Sequence, residues 1–250
     1  MPERKQAKVR GSAAVIGAGD YIGGAIAKRF ASEGCLVVAG RRTEDKLAPL
    51  KAVIEADGGR CIARALDARK EEDIAAFLDA AEAEAPLEAV IFNVGANVNF
   101  PLLETTERVF RKVWEMACYG GFLTGREAAR IMVPRGAGSI FFTGATASVR
   151  GGIGYAAFAS AKAGLRVMAQ SMARELGPQG IHVAHLVIDA GVDTAFVRDR
   201  VKARGGDPEN LPPDTLMNPA SIAEAYWRLH TQTRDAWTHE LDLRPYGETW

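Results

Sequence analysis

Lys162 closes the stretch GYAAFASAK (154–162), which follows a Gly-rich loop and opens a helical pattern. An ammonium near the start of a helix suits one chemical task well: stabilising a neighbouring phenolate, so that a tyrosine can serve as acid or base. The residue four positions before the lysine is Phe158, which has no proton to exchange. The remaining phenol is Tyr155, seven residues before Lys162. That separation is about two helical turns, so the two side chains share a face if the helix starts early enough. Tyr155 and Lys162 are therefore the catalytic candidates. Thr143, Thr146 and Ser148 surround Ala145 just upstream, although side chains alternate in direction at a strand end, so one neighbour does not simply substitute for another.

A second constellation lies near the N-terminus. In VIGAGDYIGGAIA, Gly17, Gly19 and Gly23 flank Tyr21 and Ile22 between an apolar run and a helical pattern. Such a turn lets backbone approach a pyrophosphate at a helix N-terminus, although glycines also serve close helix–sheet packing. The next apolar run, VVAG, ends in Arg41 and Arg42. An acid at that place would bind the adenosine ribose hydroxyls, whereas a cation suits a 2′-phosphate, so NADP(H) is favoured over NAD(H). The alternative is a solvated arginine pair. Asp67 and Asn93 end the third and fourth runs, where adenine and ribose would lie, or they are strand-end turn residues.

Positioning these groups requires a scaffold, and the pattern supplies one. Apolar runs at 12–16, 35–40, 60–66, 87–95, 138–144, 181–188 and 239–244 read as strands. Segments of helical period separate them, including one long helical region over 104–134 and a helix from about 155 to 176. Strands that are apolar throughout, joined by helical crossovers, predict a doubly wound α/β fold: a parallel sheet of about seven strands with helices on both faces. Ligands are then expected beyond the carboxyl ends of the strands. The chain reads as a single nucleotide-binding domain over 1–250. Its Pro/Gly-rich segment RGGDPENLPPDTLMNP (204–219) suggests a substrate lid near 194–219.

Composition excludes more than it assigns. Thirty-one basic and 31 acidic residues give no net charge, and hence no electrostatic footprint for nucleic acid or a membrane surface. No apolar stretch approaches a membrane span, and MPERKQAKVRGS does not read as a secretory leader. Cys35, Cys61 and Cys118 have no metal-ligand or redox spacing, so reduced thiols, no metal and a cytoplasmic location are expected. His182 and His185 lie on the sixth strand and read as structural, His230 and His239 are close to the C-terminus, and Trp227, Trp237 and Trp250 read as core or interface residues.

Taken together, GAGDYIG, GRR, Asp67, NVGA (93–96), YGGF (119–122), GSIFFTGATAS, the Lys162 segment and VIDAGVDT (187–194) make the chain resemble the short-chain dehydrogenase/reductase family over nearly its whole length. The resemblance implies a Rossmann-type sheet. It also implies a nicotinamide cofactor contacted by Gly17, Gly19, Tyr21, Ile22, Gly23, Arg41, Arg42, Asp67, Asn93, Gly95, Lys162, Val192 and Thr194. A small-molecule substrate and assembly as a homodimer or homotetramer through the helices carrying 103–133 and 155–176 follow from the same likeness. The departures are as informative as the matches. Tyr21 replaces the middle glycine of the family's motif; Ala117, Ala145 and Phe158 stand where its catalytic asparagine, serine and tyrosine belong; Asp189-Ala190 replaces its Pro-Gly. Only Lys162 of the tetrad remains, in a role that includes contact with the nicotinamide ribose. Three functions stay open: an oxidoreductase of atypical site chemistry, an enoyl-thioester reductase using Tyr155-x6-Lys162, and a catalytically silent NADP(H) sensor or scaffold.

Overall fold

The computed structural model describes residues 10–248. Seven strands form one parallel sheet in the order β3-β2-β1-β4-β5-β6-β7. They are β1 (Ser12–Ile16), β2 (Leu36–Arg41), β3 (Arg60–Ala65), β4 (Leu87–Phe92), β5 (Gly138–Thr143), β6 (Ile181–Ile188) and β7 (Glu240–Leu243). The chain runs outward from β1 to β3, then returns to the other side of β1 with β4. The carboxyl ends of β1 and β4 therefore diverge into a crevice. Register fixes which residues face it: Ile16 lies opposite Gly40 of β2 and Phe92 of β4.

Alternation along the central strands sends side chains into two cores. Ala13 and Val15 pack with α1 (Ile22–Ser32), α2 (Ala48–Ala56) and α8 (Pro219–His230); Ala14 and Ile16 pack with α3 (Glu71–Glu84), α5 (Gly120–Met132) and α6 (Ala156–Leu176). The helices earn these places by their spacing. Ile26, Ala27, Phe30 and Ala31 form the buried stripe of α1, and Ile74, Phe77, Leu78 and Ala81 that of α3.

The long helical region of the sequence is not one helix. After α4 (Glu107–Trp114), capped by Thr106 accepting from the Val109 amide, the chain widens into a π turn over Glu115–Tyr119 before α5. A π turn inserts a residue into the helical ladder, and such turns concentrate at functional sites. Here it carries Ala117 and Cys118 inward.

Two helices go unread in the sequence. The short, polar α7 (Ala195–Ala203) occupies the start of the expected lid and buries no side chain. The amphipathic α8 begins at Pro219 behind its cap Asn218, which accepts from the Ala220 amide at 2.8 Å. The Asn-Pro pair was a helix start rather than the end of a loop. Between them the irregular chain is tied down by a parallel bridge from Val192 to Met217. Among the described residues no helix is long and apolar enough to cross a membrane. Trp250 and most of the N-terminal segment lie outside the described residues.

Candidate active site

The glycine turn is built as its spacing required. Gly17 has φ +84°, and a Cβ there would lie 2.6 Å from the Asn93 carbonyl oxygen; at Gly23 it would lie 2.2 Å from that of Gly17. The Asn93 side-chain amide donates to the Gly17 carbonyl at 3.1 Å, tying the end of β4 to the turn. A Cβ on Gly19 would meet nothing nearer than 4.0 Å, so this glycine keeps the cleft open. Tyr21 is the first flanking residue of α1 and no side chain caps the helix, which leaves its first-turn amides without intrahelical partners.

Gly17, Gly19, Arg41, Arg42, Asp67, Asn93 and Gly95 all line one cleft of about 300 Å³. Lys46, Thr43 and Arg69 join them there, and sequence reasoning had no signal for these three because Thr43 and Arg69 lie in loop or turn past the strand ends and Lys46 in the short 3₁₀ helix Glu44–Leu47. Arg41 donates to Asp20 and to the Lys46 carbonyl, both at 3.3 Å. The Arg69 guanidinium grips Asp67 at 2.5 and 2.9 Å and holds its carboxyl below the usual range. Tyr21, Ile22, Gly23, Val192, Thr194 and Lys162 are not on the walls of this cleft. Ile22 packs against the α1 core, Val192 is buried on its bridge to Met217, and Thr194 caps α7 by accepting from the Val197 amide at 3.2 Å.

Lys162 is 3% exposed, and its Nζ donates to the carbonyls of Thr143 (2.8 Å) and Val94 (3.2 Å). It thereby bridges the ends of β5 and β4. Burial with neutral partners lowers its pKa to about 8. Ala117 and Phe158 are buried together in one apolar cluster, against which Ala145 and Tyr155 pack. The three departures from the tetrad thus form a continuous oily wall.

Tyr155 is the flanking residue at the start of α6. Helix α6 begins only at Ala156, and Tyr155 precedes it with φ −103° and ψ 18°. The Tyr155 carbonyl accepts from the Ala159 amide at 2.7 Å, the first bond of the helical ladder. Its hydroxyl accepts from Arg200 of α7 at 2.8 Å. Tyr21 also reaches this helix: its hydroxyl accepts from the Ala195 amide at 2.9 Å. The ring that replaces the motif's middle glycine thus points to α7 rather than into the cleft.

A second cavity, of about 350 Å³, adjoins this wall. Ala145, Ala147, Phe158, Ile188 and Ala190 give it an apolar surface, and Asn97, Thr146, Arg150 and Tyr155 supply its polar groups. Arg150 reaches from it to Asp189, 3.1 Å away and 1% exposed. The Arg150–Asp189 and Arg200–Tyr155 contacts carried no spacing signal, since each joins residues 39 or more positions apart.

The three cysteines are free and buried, and burial pushes the Cys35 and Cys61 thiols up to about 11. His182 stacks on Trp237 with ring centres 4.9 Å apart, and Trp227 packs edge-on to Phe30. No cluster able to hold a metal ion occurs among the described residues.

Comparison with known proteins agrees with this architecture. The family profile described as short chain dehydrogenase matches residues 12–205. The chain is 28% identical over 220 residues to a 2-dehydro-3-deoxy-D-gluconate 5-dehydrogenase of Formosa agariphila, covering 81% of this chain and 83% of that one. The crystal structure of a short-chain dehydrogenase from Rhodopseudomonas palustris is 60% identical, with TM-score 0.81 over 94% of this chain and 98% of that one. An alcohol dehydrogenase from Thermococcus sibiricus, complexed with 5-hydroxy-NADP, is 25% identical with TM-score 0.82 over 96% and 98%. Other solved neighbours share the fold, some complexed with NADP or NADPH and one with NADH. A seven-stranded parallel sheet, a glycine turn at its first strand and a profile match over most of the chain make this protein a member of the short-chain dehydrogenase family.

Proposed function

We propose that this chain is an NADP(H)-dependent oxidoreductase that works without the family's tyrosine acid, on a small substrate held in the 350 Å³ cavity. One observation carries the reading: the cleft at the strand ends keeps the features that suit a dinucleotide, while the adjoining wall of Ala117, Ala145 and Phe158 has lost those that handle a proton. The residues of the cleft fit the cofactor. Uncapped amides at the start of α1 and the open face of Gly19 suit a pyrophosphate. Arg41, Arg42, Lys46 and Arg69 outnumber Asp67 on the walls, which favours the extra phosphate of NADP(H) over the ribose diol of NAD(H).

When bound, the nicotinamide accepts or supplies hydride. The chain's part is positional. Arg41 and Arg42 would hold the 2′-phosphate, Asp67 and Asn93 would flank the adenosine side, and Gly95 would leave room above β4. Lys162 locks the carboxyl ends of β4 and β5 together through Val94 and Thr143, and would so support the nicotinamide end of the cofactor. Phe158, Ala145 and Ile188 exclude water from the substrate. Tyr155 and Thr146 are the hydroxyl-bearing residues that line the cavity. Because Arg200 occupies a lone pair of the Tyr155 oxygen, the phenolic proton remains free to be donated.

Residues 1–250 act as one domain in this reading, with 194–219 as the lid. Half-exposed Phe110, Trp114 and Phe122 on α4 and α5 suit contact between copies in a homodimer or homotetramer, and three buried free thiols suit the cytoplasm.

Fluorescence titration with NADPH and NADH tests the cofactor assignment. NADPH is expected to bind at least ~10-fold tighter, with the preference lost in Arg41→Ala. Preference for NADH would sink the phosphate assignment. A subsequent screen of aldehydes, ketones and enoyl thioesters that finds no turnover, despite NADPH binding, would leave a silent NADP(H) sensor in place of an enzyme.

A further inference from the structure

We infer that the molecule bound in the 350 Å³ cavity carries a single carboxylate, received by Arg150 on the cavity wall together with Arg200, which lies behind the wall residue Tyr155 and bonds its hydroxyl. The inference rests on reading that cavity as the substrate site of the proposed oxidoreductase. Its basis is a charge imbalance beside an otherwise apolar surface.

Among the described residues no acid lines the cavity. Arg150 does line it, and makes one contact to Asp189, from its NH2 to Oδ1 at 3.1 Å. The pair balances one charge with one charge but leaves guanidinium N–H groups unused, since arginine has five in a fixed fork. Arg200 is different. Its partners are neutral: the Tyr155 hydroxyl at 2.8 Å, and the face of Phe196, one turn earlier on α7, with the guanidinium carbon 5.7 Å from the ring centre. It forms no ion pair among the described residues. A guanidinium stays charged at every accessible pH, and a half-buried charge with only neutral partners is under-compensated.

This end of the cavity therefore carries one excess positive charge. A monoanion neutralises it. A dianion such as a phosphate ester would leave surplus negative charge beside buried Asp189, and a neutral molecule would leave Arg200 as it is. The planar fork of arginine matches a carboxylate in two parallel hydrogen bonds. The volume is at the small end of ligand pockets, and the alanine, isoleucine and phenylalanine walls select a compact hydrocarbon body such as a single ring. Orientation follows: the acid beside Arg150 and Tyr155, the apolar body against Phe158.

The test is calorimetric titration of the full chain with benzoate, benzamide and phenyl phosphate, for the native protein, Arg200→Met and Arg200→Lys. Benzoate is expected to bind most tightly of the three. Arg200→Met should weaken benzoate ~10- to 100-fold, the range for a charge-assisted contact, and leave benzamide within ~3-fold. Arg200→Lys should restore part of the loss, which a helix merely displaced by mutation would not do. Equal affinity for benzoate and benzamide, tightest binding of phenyl phosphate, identical behaviour of the Met and Lys variants, or no binding of any probe each overturns the assignment. The underlying reading fails separately. A protein that prefers benzoate but does not bind NADPH keeps the carboxylate site and loses the oxidoreductase. One that binds NADPH and reduces neutral carbonyls without that preference does the reverse.

Discussion

The ammonium of Lys162 lies over the Phe158 ring, 6.0 Å from its centre. A tyrosine at this position would carry its hydroxyl on that same ring, near the cation. The ring packs beside Ala117 and Ala145, the two other positions emptied of polar groups. Restoring all three, as Ala117→Asn, Ala145→Ser and Phe158→Tyr, should create ketone reduction. The expected gain is ~10²–10⁴-fold, the usual worth of general acid catalysis. NADPH oxidation with a panel of ketones measures it. A triple variant that folds and binds NADPH yet shows no gain would mean that Lys162, spent on two carbonyls, no longer supports a phenolate. Any native activity of the atypical site should fall in the same variant.

Lys162 itself predicts an alkaline dependence. Burial lowers its pKa to about 8 from 10.5, so between these values the unfolded chain holds a proton that the folded one has released. Stability from this residue therefore rises with pH across that window: the penalty of burying the ammonium is complete below pH 8 and is relieved towards 10.5. At about 1.4 kcal/mol per unit the relief is roughly 3 kcal/mol. Urea unfolding of the native protein and Lys162→Met, compared from pH 7.5 to 10, should show the native protein gaining relative to the variant. Parallel curves would place the ammonium in a more solvated setting.

The sheet was legible in the sequence because parallel strands buried on both faces must be apolar throughout; SAAVI and IHVAHLVI leave no other reading. The nucleotide turn was legible for a steric reason, since Gly17 and Gly23 stand where any Cβ would collide with backbone. What the sequence hid depends on tertiary approach. Arg200 lies 45 positions from Tyr155 and Ala195 lies 174 from Tyr21, and no local period reports such contacts. Tyr155 and Lys162 were legible as the two ends of one helical turn pattern, whereas the contact of the Tyr155 hydroxyl with Arg200 was not. Helix α7 escaped notice because it buries nothing, and burial is what writes a period into a sequence.

Two histidines predict acid sensitivity. Burial lowers His185 and His230 to about 4 from 6.5. His185 lies 3.4 Å from Glu240, yet Arg166 already takes both oxygens of that carboxylate, at 2.5 and 2.7 Å. The ring therefore stays neutral. As pH falls from 6.5 towards 4 the unfolded chain takes up protons that the folded chain refuses, and stability is lost. Replacing His230 with leucine should flatten the acid limb of the melting temperature–pH profile. An unchanged slope between pH 6.5 and 4 would assign the sensitivity to other groups.

Helix α7 should be the first element to loosen when its phenols are removed. It has no buried side chain, and the hydroxyls of Tyr21 and Tyr155 hold it at its first residue and at Arg200. Tyr21 stands at the nucleotide turn and Tyr155 at the cavity, so one helix spans both compartments through two hydrogen bonds. Each bond is worth about 1 kcal/mol, and elements with little buried contact sit at the low-stability end of a fold. Tyr21→Phe and Tyr155→Phe should therefore each raise amide exchange over 195–203 about 5-fold, and the double variant about 25-fold if the two act independently. Exchange in β1 and β4 should not change, because neither phenol packs in the sheet core. Uniform exchange across the variants would mean that α7 is held instead by its cap Thr194 and by the ion pairs of Arg198 to Asp193 (2.6 Å) and Glu209 (2.9 Å). If the latches also set access to the cavity, the Michaelis constant for substrate should rise in step with exchange, and more steeply than the turnover number falls.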